Sequence, residues 1–317
     1  MYEGKTVGVV VPCHNEETQI GTVIETMPQY VDRIIIVDDV SSDGTCDVVR
    51  RYAEAMPERI RLIRHEVNGG VGKAIVSGYK AAVEERIELT AVMAGDAQMD
   101  PADLPALLGP VACDEIDYSK GNRLFTGDAW NIIPRYRYLG NSALSLMTKI
   151  ASGYWHVADS QTGYTVANLR SLSTIDLDSL YPRYGFPNDV LVHMNVYDFR
   201  VRDVPIQPVY NVGERSGIRL WKVVPTLSWL LFRRFWWRMG QKYVIRDTHP
   251  LVLFYAFGGL FSLLGLGLGL LEAWQKVVHG LSPAVPTVVL AALLLISGIQ
   301  FTFFAMWFDM EHNRTLK

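Results

Sequence analysis

The sequence predicts an α/β protein: a mostly parallel, doubly wound sheet with helices on both faces, then amphipathic interface helices and two C-terminal transmembrane helices. Three observations carry this. Short, apolar, β-rich runs alternate with segments of helical spacing through the first half of the chain. Each run ends in a polar cluster, which is where open α/β sheets bind ligands. Finally, Leu251 to Leu271 is 21 residues without a charge, and Thr287 to Phe308 is 22 with Gln300 as its one strongly polar side chain. Roughly 20 apolar residues span a bilayer.

The elements follow in order. Thr6 to Val11 is a continuous apolar run ending at Pro12, as expected of a strand buried on both faces. Glu17 to Met27 has helical spacing, with Ile20, Val23, Ile24 and Met27 on one face. Arg33 to Val37 is the second strand and ends in Asp38-Asp39; Asp43 or Thr45 is placed to cap the next helix. Ile60 to Arg64 is the third strand. Asn68-Gly-Gly-Val-Gly72 then leads into a helix from Lys73 to Val83, and Leu89 to Met93 is the fourth strand.

The chain has 317 residues, 49% of them hydrophobic, and a net charge of −3, enough for one sizeable domain and an additional part. Its cysteines, Cys13, Cys46 and Cys113, lack CxxC spacing, which argues against a disulfide framework or a zinc site and fits a reducing compartment. The first apolar run is too short for a secretory signal and leads straight into a polar motif.

Between Glu214 and Asp247 lie Arg215, Arg219, Lys222, Arg233, Arg234, Arg238, Lys242 and Arg246, interleaved with Trp221, Trp229, Trp236 and Trp237. Next to an expected span, this composition suits the lipid headgroup layer and not a nucleic acid. The basic excess places this side in the cytoplasm, with Glu272 to Pro286 outside and the Asp309–Lys317 tail inside. The expected division is a catalytic domain over 1–212, an acceptor loop with interface helices over 213–248, and a transmembrane hairpin with a short tail over 249–317.

The strand at Leu89 ends in Gly95-Asp96-Ala97-Gln98. Asp96 and Gln98 offer two oxygen ligands to a hard cation such as Mg2+ or Mn2+, the kind of ion that holds a diphosphate. An Asx turn capping the following helix explains the same residues. Asp100 before Pro101 reads as a helix N-cap.

Four segments occur in order: Val9-Val-Val-Pro-Cys-His-Asn-Glu-Glu17, Ile36-Val-Asp-Asp-Val-Ser-Ser-Asp-Gly-Thr45, Asn68-Gly-Gly-Val-Gly-Lys-Ala74 and Gly95-Asp-Ala-Gln98. Together they resemble the inverting GT-A (Rossmann-like) glycosyltransferases of family 2. The second half is similar to the polyprenyl-phosphate group, which includes dolichyl-phosphate mannose synthase. There Lys120-Gly-Asn-Arg123 resembles a Gly-Ser-Arg element, with Arg137 and Asn141 at the spacing of a second phosphate-binding arginine and a small polar residue, usually Ser. Asp159-Ser-Gln-Thr-Gly-Tyr164 matches an Asp-x-x-Ser/Thr-Gly-aromatic turn, and Gly213-Glu-Arg-Ser216 stands where the group has an acceptor loop. The Gln-x-x-Arg-Trp signature of processive synthases is absent. Against the group's Asp-x-Asp-x-Gln pattern, Ala94 replaces the first acid.

The resemblance implies transfer of a hexose from a UDP- or GDP-sugar to a polyprenyl phosphate at the cytoplasmic face of a membrane, with Mg2+ or Mn2+, and makes a homo-oligomer such as a tetramer an expected assembly. Asp96 and Gln98 become metal ligands. Pro12, Asn15, Glu16, Asp38, Asp39, Gly95 and Asp96 line the nucleotide, although Asn15 and Glu16 also suit an ordinary helix start. His14 either stacks on the base or is a loop aromatic. Gly70, Gly72 and Lys73 either let the diphosphate approach a helix N-terminus or form a tight turn. Arg123 and Arg137 clamp phosphate, and Asn141, Arg215 and Ser216 complete the acceptor side. Asp159 lies near the reacting sugar or shapes its turn. Asn188-Asp189 stands where many relatives keep a base, so Asp189 is expected to bind a sugar hydroxyl or orient the substrate. Transfer to a hydroxyl of another lipid or of a lipid-linked saccharide, and a non-catalytic membrane scaffold binding nucleotide sugar, are the competing expectations.

Overall fold

A computed structural model describes the backbone of residues 1–124, 135–207 and 220–317, and side chains over 1–124, 142–207 and 224–317. The chain forms two compact units, one of Met1–Trp236 with Thr315–Lys317 and a second of Trp237–Arg314.

Among the described residues, seven strands build the first unit: β1 (Val7–Cys13), β2 (Arg33–Asp38), β3 (Ile60–Arg64), β4 (Leu89–Val92), β5 (Tyr118–Asn122), β6 (Thr165–Asn168) and β7 (Val201–Pro205). They lie in the order β3-β2-β1-β4-β6-β5-β7. β3, β2, β1 and β4 pair in parallel, as do β5 and β7, while β6 runs antiparallel to both β4 and β5. The expected mostly parallel sheet is present, with one reversed strand.

The continuous apolar runs have a structural cause. Val7, Val9 and Val11 of β1 enter one core with Ile20, Val23 and Ile24 of α1 (Ile20–Glu25) and Leu104, Leu107 and Leu108 of α4 (Leu104–Ala112). Val10 points to the opposite core, with Ala74, Ile75 and Tyr79 of α3 (Val71–Glu84) and Phe186 and Val190 of α7 (Phe186–Val196). Alternating side chains serve both layers, so neither face of β1 can be polar. α3 packs so closely that a Cβ on Gly78 would lie 2.2 Å from Val10 Cγ1. α2 (Thr45–Ala55), α5 (Arg135–Ser152) and α6 (Leu169–Thr174) are further helices of the sheet region. Gly44, not Asp43 or Thr45, is the N-cap of α2. At the C-terminus, Leu316 is buried in the second core and its carbonyl accepts from Val201 N of β7 at 3.1 Å.

α8 (Leu220–Gly240) and a π-helical stretch, Gln241–Arg246, follow the sheet region. In the second unit, α9 (Leu251–His279) and α10 (Val285–His312) are long and apolar enough to cross a membrane. They exceed the apolar runs: Glu272 to His279, expected in the connection, continues α9, which ends at Gly280 in a left-handed cap, φ 65°. Helix propensity of the flanking residues extends the helix beyond its uncharged stretch. Small residues set the contact between α9 and α10. A Cβ on Gly258, Gly265 or Gly298 would lie within 2.8 Å of Thr302, Leu295 or Ser262. Most other side chains of both helices are exposed and apolar, as a lipid-facing surface requires. Arg238 and Asp309, both fully buried, form a two-pronged ion pair at 2.8 and 2.9 Å, and Tyr243 donates to the same carboxylate at 2.6 Å.

Candidate active site

The carboxyl ends of β1, β2 and β4 are joined by backbone hydrogen bonds. Asp39 N donates to Cys13 O at 3.0 Å and Gly95 N to Pro12 O at 3.2 Å. Chain reversal here is sharp: Asn15, Val40 and Ala97 all have positive φ, near 60°. For a β-branched residue such as Val40 this is a strained conformation, and such strain gathers at functional sites.

Asn15 is pinned through its own N–H to Ser41 Oγ at 2.9 Å and through Oδ1, which accepts from Ser42 N at 2.8 Å. Glu16 N donates to Thr45 Oγ1 at 2.8 Å. Burial, and then the negative charges of Asp96 and Asp43, push the Glu16 carboxyl up to about 7, with His14 opposing. The Asp96 charge thus bears on Glu16 across the strand ends. Asp38 is buried, with Ser41 N at 3.3 Å and Arg64 Nε at 3.5 Å, so its carboxylate is occupied by protein groups.

Asp39 is held more firmly. Its Oδ1 accepts from His65 Nδ1 at 2.8 Å and Gly69 N at 2.8 Å, and its Oδ2 from Gly70 N at 2.7 Å. Burial raises this carboxyl, but Gly69, His65 and Gly70 outweigh it and keep it below the usual carboxylate range. The glycine loop thus commits two amides to Asp39. Its glycines are required by protein backbone: a Cβ on Gly72 would lie 2.5 Å from Tyr181 O, and one on Gly70 2.9 Å from Pro182 O. Lys73 N donates to Pro182 O at 3.0 Å, while the lysine head is half-exposed. His14 Nδ1 bonds to Asp39 O at 2.9 Å, which fixes the ring beside the strand-end cluster.

Asp96 forms the Asx turn expected as one reading of its sequence, with Gln98 N donating to its Oδ1 at 3.1 Å. Ala94 N meets the thioether of Met99 at 3.2 Å. Asp100 caps the turn at Pro101–Asp103 by accepting from Ala102 N at 2.8 Å. Among the described residues, no three of His, Cys, Asp and Glu gather as a ligand set. The donors on hand are the Asp96 carboxylate and the Gln98 amide. A carboxylate and an amide oxygen are the hard donors that such a cation takes. Mg2+ and Mn2+ commonly take one or two protein oxygens and fill the remaining positions with phosphate and water.

At the end of β5, Arg123 grips Asp159, with Nε 2.8 Å from Oδ2 and Nη2 3.2 Å from Oδ1. Burial raises Asp159, but the Arg123 charge and hydrogen bonds, with Lys120, outweigh it and hold the carboxyl down. Lys120, which in the sequence is only the first residue of a motif, is fully buried beneath this turn. Its Nζ donates to Thr162 O, and burial pushes it down to about 8 despite Asp159 and Asp203. Asp203 in turn accepts from Ala158 N at 2.6 Å and Asn122 Nδ2 at 3.0 Å. Buried charge thus braces the Asp159 turn from below.

Asn188 and Asp189 are fully buried on α7. Asn188 Oδ1 accepts from Thr148 at 2.9 Å and Gln161 at 2.8 Å. The Asp189 carboxylate meets Arg234 and Tyr181 N, not the strand-end cluster. Arg137 and Asn141 lie in the first part of α5, before residue 142, where side chains are outside the described residues, and Arg215 and Ser216 lie outside them altogether. The sequence gives no site role to His65, to Lys120 within its motif or to Arg234 within the basic stretch; the one available signal is His65 directly after β3, at the same sheet end as the other clusters.

A family model described as Glycosyl transferase family 2 matches residues 8–175. The chain is 28% identical over 219 residues to a UDP-N-acetylglucosamine–dolichyl-phosphate N-acetylglucosaminyltransferase of Methanococcus voltae, covering 65% of this chain and 87% of that one. It is 28% identical over 239 residues to an undecaprenyl-phosphate mannosyltransferase of Micrococcus luteus, covering 71% and 94%. Its fold is that of glucosyl-3-phosphoglycerate synthase from Mycobacterium tuberculosis, solved with Mn2+, UDP and glucosyl-3-phosphoglycerate. The two share a TM-score of 0.54 and 20% identity, over 75% of this chain and 81% of that one. The same synthase has also been solved with Mg2+ and UDP, at a TM-score of 0.52.

Proposed function

Since the chain belongs to glycosyltransferase family 2 and has the GT-A fold, we propose that this enzyme moves a hexose from a UDP- or GDP-sugar to a polyprenyl phosphate at a cytoplasmic membrane face. The observation that carries this reading is the convergence of Glu16, Asp39 and Asp96 at the carboxyl ends of β1, β2 and β4. Relatives named for dolichyl and undecaprenyl phosphate support the acceptor.

In this reading Asp39 and Glu16 hold the nucleoside, with Pro12, Asn15, Asp38 and Gly95 shaping its cradle. Asp96 and Gln98 would hold Mg2+ or Mn2+, which would supply charge neutralisation to the leaving diphosphate. Gly72 and Lys73 border the donor side, with the half-exposed Lys73 ammonium 3.9 Å from Asp178 Oδ1. Arg123, Arg137 and Asn141 receive the acceptor phosphate, helped by Arg215 and Ser216. The acceptor oxygen attacks the anomeric carbon as the bond to the diphosphate oxygen breaks on the opposite face, and the electron pair leaves with the nucleoside diphosphate. Rate enhancement comes from positioning and fixed charge.

A phosphate monoester, with a second pKa near 6, is largely ionised near neutral pH and needs no base. A lipid hydroxyl would need one, yet Asp159 is bound to Arg123 and Asp189 to Arg234. This favours the phosphate acceptor. Asp189 then serves as an orienting residue acting through the Tyr181 loop.

Membrane attachment rests on α9 and α10, with the exposed aromatic ladder of Trp229, Phe232 and Trp236 on α8 at headgroup level. The basic excess between Glu214 and Asp247 supports a cytoplasmic placement of the chain on that side of the two spans. A homo-oligomer such as a tetramer fits the same reading. The test is a panel of labelled UDP- and GDP-sugars with membranes and polyprenyl phosphate, run beside Asp96→Ala and Arg137→Ala. Lipid-linked product that is undiminished in Asp96→Ala would sink the metal assignment.

A further inference from the structure

Asp39, His65 and Ser77 form a chain across three elements. His65 Nδ1 lies 2.8 Å from Asp39 Oδ1, and His65 Nε2 lies 2.9 Å from Ser77 Oγ in the middle of α3. A carboxylate only accepts, so Nδ1 must carry a proton; in the neutral ring Nε2 then accepts from the Ser77 hydroxyl. Ser77 thereby keeps the ring in the orientation and tautomer that serve Asp39.

The consequence is a count of lone pairs. A carboxylate has about four acceptor positions, two on each oxygen. Oδ1 of Asp39 takes two donors, His65 and Gly69 N, and Oδ2 takes one, Gly70 N. Among the described residues Asp39 makes no other side-chain hydrogen bond, and its side chain is only 5% exposed. One acceptor position remains, on Oδ2. Uracil presents one ring N–H between two carbonyls. Guanine presents a ring N–H and an adjacent amino group, which a carboxylate matches through both oxygens. Cytosine presents an unprotonated ring nitrogen that a carboxylate repels.

We propose that His65, positioned by Ser77, restricts Asp39 to a single base N–H and so makes the donor a uridine diphosphate sugar, His65 being a specificity-determining residue. This rests on the reading of Asp39 as a nucleoside-binding group.

The test measures binding of UDP, GDP and CDP to the full-length protein in nanodiscs with Mn2+, by calorimetry. The wild type binds UDP about tenfold or more tighter than GDP or CDP, the range set by one unmatched buried hydrogen-bonding group. His65→Phe, which cannot donate and releases a position on Oδ1, narrows the UDP-to-GDP preference to about threefold or less, whereas His65→Asn, whose amide donates from nearly the place of Nδ1, retains it. GDP binding as tightly as UDP to the wild type overturns the inference, even if the variants fail to fold. A preference for UDP that is unchanged in folded His65→Phe overturns the role of His65 while leaving the donor site intact. UDP affinity unaltered in Asp39→Ala overturns the donor-site reading, and the inference with it.

Discussion

Arg234 Nε lies 2.6 Å from Asp189 Oδ1, and Arg234 Nη2 lies 2.9 Å from Asp189 Oδ2 and 2.6 Å from Ser179 O. Asp189 Oδ2 also accepts from Tyr181 N at 2.7 Å. One arginine of α8 thus fixes the stretch whose Tyr181 and Pro182 carbonyls lie against Gly72 and Gly70. The carboxylate is fully buried, so removing its partner leaves an uncompensated charge. Arg234→Met is expected to destabilise the protein by about 3–5 kcal/mol, read as a lowered unfolding midpoint. The double variant Arg234→Met, Asp189→Leu recovers much of that loss. A single variant as stable as the wild type would refute the anchoring role.

Asp96→Asn keeps the shape of the Asx turn but removes the charge. Turnover should fall by about 100-fold or more, the scale of removing a principal electrostatic contact to a leaving group. Gln98→Ala should chiefly raise the Mn2+ concentration needed for half-maximal rate. The check is initial rate against Mn2+ concentration; an Asp96→Asn curve superimposed on the wild type rules out the metal role.

Glu16 gives a pH dependence with a definite sign. Its carboxyl is raised to about 7 in the folded protein, above the 4.5 of an unperturbed glutamate. Between those values the folded state binds more protons than the unfolded one, so the contribution of Glu16 to stability falls as pH rises through about 7. A cation beside Asp96 favours the ionised form, so its binding releases a proton and weakens below that pH. Mn2+ affinity in the presence of UDP, titrated across this range, should rise with pH in the wild type and be flatter in Glu16→Gln. Equal slopes in both proteins would remove Glu16 from the site.

Arg123 uses two nitrogens on Asp159, a fork that lysine cannot reproduce. Arg123→Lys is therefore expected to raise the KM for polyprenyl phosphate about tenfold or more while leaving the KM for the sugar donor within about twofold. Asp159→Asn, which loosens the same fork, should shift the acceptor KM in the same direction. Steady-state kinetics with each substrate varied in turn separates the two, and a change confined to the donor would contradict the assignment.

The first four strand runs, their polar ends and the two long apolar segments are legible in the sequence because each is a local pattern of burial or of apolar length, whereas β5, β6 and β7 carry polar residues and are not. The Gly-rich segment is legible as a turn, but what its glycines accommodate is not. The partner is Tyr181–Pro182, more than 100 residues away, and no local pattern encodes such a contact. Asp189 shows the same limit. Its position suggests a site carboxylate, whereas the pairing with Arg234 depends on how α8 packs. His65 and Lys120 escape notice for a related reason: a lone histidine or a lysine inside a strand acquires meaning only from neighbours brought by the sheet.

Leu316 supports the last prediction. Its side chain is 8% exposed within the core that includes Tyr154, Phe199 and Val201, and its carbonyl pairs with Val201 N at the start of the edge strand β7. Removing Thr315–Lys317 exposes that core and leaves the Val201 amide without its acceptor. Burial of a leucine side chain is worth about 1.5–3 kcal/mol, and a net backbone hydrogen bond adds about 0.5–1.5. In a unit of this size each kcal/mol moves the midpoint by roughly 2–4 °C, so the truncated protein should melt several degrees lower. Leu316→Asp tests packing apart from the hydrogen bond and should account for most of the drop. If both variants melt with the wild type, the tail does not hold β7.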